Sequence, residues 1–93
     1  MAHQTIDLSK YIEIGLFQDR PHIRGRRIPV ATIAYNARTN GWGVSELADN
    51  FGLSDEQVLA ALLYYSDHAS EIDAQEVAYQ AELDNAYEQH GDH

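Results

Sequence analysis

Apolar and polar positions along this chain are most ordered between Val44 and Tyr65, VSELADNFGLSDEQVLAALLYY. Leu47, Ala48 and Phe51 fall at i, i+1 and i+4 and make one short apolar face. Gly52 follows, where a helix can end in the left-handed conformation without a Cβ penalty. Ser54 is a capping residue, with Gln57 three positions on, the spacing of a capping box. Val58, Leu59, Leu62 and Tyr65 then form a second apolar face, leaving Glu56, Gln57, Ala60 and Tyr64 outward. Short helix, glycine turn and capped second helix predict a helix-turn-helix, its second helix running to about Ala69.

The flanking pattern is weaker. Asp7-Leu8-Ser9-Lys10 suits a turn, and the partial alternation of Tyr11 to Phe17 predicts a short strand. Gln18-Asp19-Arg20-Pro21 reads as a turn. His22 to Ile28 fits either two very short strands about Gly25 or an extended arm, with Ile23 and Ile28 inward and arginines outward. Pro29 suits a first helical turn, and Val30, Ile33, Ala34 and Ala37 give that helix one face. Asn40-Gly41 closes it, and Trp42 in the connection is expected to pack into the core. Beyond Ser70, the positions Ile72, Tyr79, Leu83, Ala86 and Tyr87 make a narrow stripe on an otherwise acidic helix. These observations predict a mainly α fold with a small β element. It is a helix-turn-helix or winged-helix-like unit over 1–69, with an acidic C-terminal helix and tail over 70–93.

Charge sharpens that division. The net charge is −9, yet all six basic residues precede Asn40. Residues 1–40 hold six bases and three acids, +3, whereas residues 41–93 hold twelve acids and neither Lys nor Arg, −12. Two such surfaces suit different partners, although acidic surfaces also serve solubility alone. At 93 residues the chain is one small domain, for which a dimer or a partner adds stability. There is no cysteine, hence no disulfide, thiolate metal site or Cys nucleophile. No apolar run reaches the ~20 residues of a membrane span, and MAHQTIDLSK lacks the plan of a signal peptide. The expected location is the cytoplasm.

The chemistry on offer is binding. His68 and Glu71 have a spacing that can share a metal on one helix face, but no second pair completes a site. No nucleophile motif or Gly-rich loop is present, so no catalytic, cofactor or metal residue is assigned and no small-molecule substrate is evident. Arg20, Arg24, Arg26, Arg27 and Arg38 form a cluster that fits either nucleic-acid phosphates or ion pairs with the acidic half. Gln57 on the second helix of the helix-turn-helix has the donor and acceptor for an adenine edge. Asp55 and Glu56 open that same helix, and their charge repels phosphates. Ile72, Tyr79, Leu83 and Tyr87 are the candidate partner-binding residues, unless their helix folds back on its own domain.

PHIRGRRIPVATI, followed by GWGVSELADNFGLSDEQVLAALLYYSDHASEID, resembles the small prokaryotic family known as domain of unknown function 433. The family pattern is G-x-P-x-I-x-G-T-R-I-x-V, then an E-[IL]-A segment, then L-[ST]-x-E-x-[VI]-x-A-A-L-x-Y-Y and H-x-x-E-I-D. The resemblance covers about residues 15–73. Arg26 stands where Thr is usual, Asp19-Arg20 replaces a Gly-containing pair, and Glu46 is one position from the usual acid. The resemblance implies a helix-turn-helix fold with a short β element. It also implies the role of an antitoxin in a type II toxin–antitoxin pair, because many members are encoded beside a PIN-like nuclease. The expected partners are that nuclease toxin, a second copy of the chain and promoter DNA. A protein-interaction or dimerisation module that keeps the shape without binding DNA is the alternative.

Overall fold

The computed structural model of the chain describes residues 7–14 and 20–91, with side chains as far as Ala86. A 3-10 turn (Leu8–Lys10) leads into β1 (Ile12–Glu13) and β2 (His22–Ile23). Three helices follow, α1 (Val30–Asn40), α2 (Val44–Phe51) and α3 (Asp55–Gly91). The fold is mainly helical with one small antiparallel sheet, as its sequence pattern predicts.

The two strands pair Ile12 with Ile23 and Glu13 with His22. So short a ladder is not stable alone; it holds because Ile12 and Ile23 are buried in the helical core. The strand expected from Tyr11 to Phe17 is thus two residues long, with Ile14 exposed, and its remainder lies outside the described residues. Of the two readings of His22 to Ile28, the structure has a tight turn after β2. The Arg26 amide donates to the Ile23 carbonyl at 3.0 Å, and Gly25 takes φ 79°, the sign required at the third position of a type II turn.

Pro29 precedes α1 as an extended N-cap, φ −67° and ψ 146°, rather than entering its first turn. Val30, Ile33 and Ala34 face the core, and Gly41 ends the helix at φ 68°. Trp42 packs partly buried against the core. At the start of α2 the Gly43 amide donates to Glu46 Oε1 at 2.8 Å. At its end Gly52 takes φ 67°, and the Leu53 amide reaches back to the Ala48 carbonyl at 2.9 Å. That bond, with Leu53 buried, is a Schellman stop. Ser54 and Gln57 then close the capping box reciprocally, the Ser54 amide to Gln57 Oε1 at 2.8 Å and the Gln57 amide to Ser54 Oγ at 3.1 Å.

α3 is two helical segments, 55–67 and 69–91, joined across a kink at one non-helical residue, His68, at φ −128° and ψ 27°. The break falls beside Ala69, where the second helix of the helix-turn-helix is expected to end. The His68 ring lies 4.1 Å from that of Tyr64, nearly parallel, and its Nδ1 is 3.0 Å from the Tyr64 carbonyl. A side chain engaging the carbonyl four residues back is a recognised cause of a kink. The inward face of α3 is rotated from the expected one. Ala60, expected to point outward, is fully buried with Val58 and Ala61, whereas Leu59 is 40% exposed, as is Leu63. Both α1 and α2 pack on α3, and two adjacent alanines let them approach closely, which turns the neighbouring leucines to solvent.

Candidate binding surfaces

Of the two readings of the arginine cluster, phosphate binding or ion pairs with the acidic half, the contacts within the fold favour the second for Arg20, and Arg24, Arg26 and Arg38 are likewise joints of the fold. Arg20 sends Nε and Nη2 to the two carboxylate oxygens of Glu76 at 2.8 and 2.9 Å, and its guanidinium lies 4.2 Å from the centre of the Tyr79 ring. Arg24 donates through Nε and Nη2 to the Ser9 carbonyl at 3.1 and 2.8 Å, pinning the leading 3-10 turn to β2. Arg26 donates to the carbonyls of Gly52 and Phe51 at 2.8 and 3.1 Å. These sit at the carboxyl end of α2, where a cation is also favoured by the helix dipole. Arg38 donates to the Tyr65 hydroxyl at 2.9 Å, and that hydroxyl donates on to Asp73 Oδ1 at 2.9 Å. Arg27 is exposed beside the Gly25 turn. Gln57, the expected base reader, is folded back on Ser54.

The stripe expected to bind a partner is similarly divided. Ile72 is 2% exposed and belongs to the core, so it cannot serve as a surface anchor. Tyr79 is half-buried under Arg20. For these two the alternative of a helix folded back on its own domain holds. Leu83 is 45% exposed, and the Tyr87 side chain lies outside the described residues. From Gln80 to Ala86 every residue is exposed. Beyond the kink at His68, residues 69–91 of α3 make a helix about 34 Å long.

Between α1 and α3 lies an open groove of about 380 Å³, lined by Tyr35, Glu76 and Val77 together with the Arg38–Tyr65–Asp73 relay. Burial, reinforced by Glu71, pushes the Tyr64 hydroxyl above its ordinary pKa. At the other end of the chain, hydrogen bonds from Ser9 hold the Asp7 carboxyl below its ordinary range. His68 spends its Nδ1 on the helix kink. Among the described residues no group of three or more His, Asp and Glu side chains converges for a metal, and no helix is long and apolar enough to cross a membrane.

Two features were not legible beforehand. The Arg20–Glu76 fork joins residues 56 apart in sequence, with no local pattern to announce it. The exposure of Leu59 and Leu63 was hidden because residues 58–65, VLAALLYY, are apolar throughout, so the face read from Val58, Leu59, Leu62 and Tyr65 is only one of several that the run allows.

No curated protein and no solved structure matches the chain. Residues 15–65, spanning β2, α1, α2 and the first part of α3, match the profile of a family described as protein of unknown function, DUF433. With more than half of the sequence matched, and with the turn, the caps and the helix-turn-helix all inside the matched span, the chain belongs to the DUF433 family.

Proposed function

We propose that this chain is a protein-binding regulator of antitoxin type, which acts in the cytoplasm by holding a basic, PIN-like nuclease. The observation that carries the reading is the exposed outer part of α3. It projects Val77 and Leu83 among Glu82 and Asp84, in a half of the chain that has no Lys or Arg. An acidic helix with apolar anchors is complementary to the cationic surface on which a nuclease receives RNA. The family's frequent genetic neighbourhood with such nucleases supports the same partner.

Promoter binding is the less supported half of an antitoxin's usual work. Arg20, Arg24, Arg26 and Arg38 already donate to groups within the fold, and Asp55 and Glu56 stand exposed at the start of the would-be recognition helix. Phosphate binding draws on cations that are available to displace counterions. The alternative of an interaction module without DNA binding therefore fits the geometry better than a repressor does.

Co-expression with a PIN-like nuclease encoded beside this chain tests the proposal. The expected result is relief of the nuclease's growth arrest and co-elution of the two proteins, both lost in the variant Glu82→Lys/Leu83→Ser/Asp84→Lys. A nuclease that stays toxic and elutes alone refutes it.

A further inference from the structure

We infer that the solvent face of the first three turns of α3, where a helix-turn-helix protein would read DNA, is a second protein-docking surface. It fits a helix that carries an apolar stripe edged by Lys or Arg. Leu59 and Leu63 are each 40% exposed. They stand four residues apart and so lie side by side on one helix face. Asp55 and Glu56 precede them, Ser66 and Asp67 follow, and all four are exposed. At helical phase these positions share one side of α3, opposite to buried Val58 and Ala61. The result is an apolar pair bracketed by three carboxylates on a strip about 20 Å long.

The charge selects the occupant. DNA fits poorly because phosphates would meet Asp55, Glu56 and Asp67, and Arg26, the cation that reaches the turn before α3, already donates to the Gly52 and Phe51 carbonyls. A second copy set face to face on the same strip doubles the carboxylates without adding a cation. A partner helix with leucine-sized side chains at i, i+3 or i+4 and i+7 satisfies the pair, and flanking cations satisfy the rim. The inference rests on the proposed function only in taking the partner to be a protein with a basic surface.

The test is an NMR titration of the full, isotope-labelled chain with a peptide of about 20 residues. The peptide is helical, with leucines on one face and lysines at its edges. Two controls replace the lysines by glutamates or scramble the leucine positions. The expected result is shift changes centred on residues 56–67, an affinity that weakens with salt, and no response to either control. Leu59→Ser/Leu63→Ser should weaken binding about tenfold. Asp55→Asn/Glu56→Gln/Asp67→Asn, which leaves the apolar pair in place, should weaken it several-fold and flatten the salt dependence. The absence of shifts overturns the inference. Shifts confined to residues 76–86 also overturn it while leaving the proposed function standing. Sedimentation showing a dimer that dissociates in the serine variant would assign the face to a second copy instead.

Discussion

Arg20 and Glu76 meet in a two-pronged ion pair, Nε to Oε2 at 2.8 Å and Nη2 to Oε1 at 2.9 Å. The flat side of the same guanidinium covers Tyr79. This joint fastens the outer part of α3 to the segment just before β2. The Arg20 side chain is only 13% exposed, so the pair is screened less than a surface one. Arg20→Ala removes both hydrogen bonds and the cation–ring contact, and the expected loss is about 1–3 kcal/mol. Urea unfolding of Arg20→Ala, Glu76→Ala and the double variant checks it. Strict additivity would show that the pair contributes nothing of its own.

Ile72 lies beyond the kink yet belongs to the same core as Ile23, Ile33 and Leu47. Ile72→Ala should therefore cost about 2–5 kcal/mol, as expected of a buried large-to-small substitution. Leu83→Ala, at an exposed position, should stay within about 0.5 kcal/mol. Thermal or chemical denaturation separates the two. Equal small effects would mean that α3 beyond His68 is an appendage rather than part of the core.

The reciprocal cap at Ser54 and Gln57 sets where α3 begins. Ser54→Ala leaves the Gln57 amide without its side-chain acceptor, and the expected destabilisation is about 1 kcal/mol. Ser54→Asp should retain most of the stability, because a carboxylate caps equally well and suits the helix dipole. Amide hydrogen exchange at residues 55–58 gives a local readout, and unchanged exchange in Ser54→Ala would count against the cap.

Tyr64 provides a pH dependence with a definite sign. Its hydroxyl is raised above the ordinary value of 10.0, by burial first and Glu71 second. The folded state then holds the proton more tightly than the unfolded state does. This contribution is complete below the unfolded pKa and is lost as pH rises through the folded one. Stability should accordingly fall more steeply above about pH 10 in the parent than in Tyr64→Phe, which cannot ionise. Chemical denaturation between neutral and strongly alkaline pH compares them; parallel curves would refute it.

The elements whose cause is local were readable from the order of residues alone. Gly41 and Gly52 end helices because the left-handed turn they adopt is open to glycine. Ser54 starts one because its hydroxyl and Gln57 sit at capping distance. Charge asymmetry and the family pattern are likewise properties of the string. What only the tertiary structure decided is which face of α3 is inside and where each arginine is spent. An apolar run such as VLAALLYY fits several rotations about the helix axis. The packing of α1 and α2 on Ala60 and Ala61 selected one of them and left Leu59 and Leu63 in water. A guanidinium finds its partner by distance in space, so Arg20 reaching Glu76 and Arg26 reaching the end of α2 follow from the assembled fold. That is why a cluster whose sequence fits either phosphates or internal partners is, at Arg20, Arg24, Arg26 and Arg38, tied to groups of its own domain.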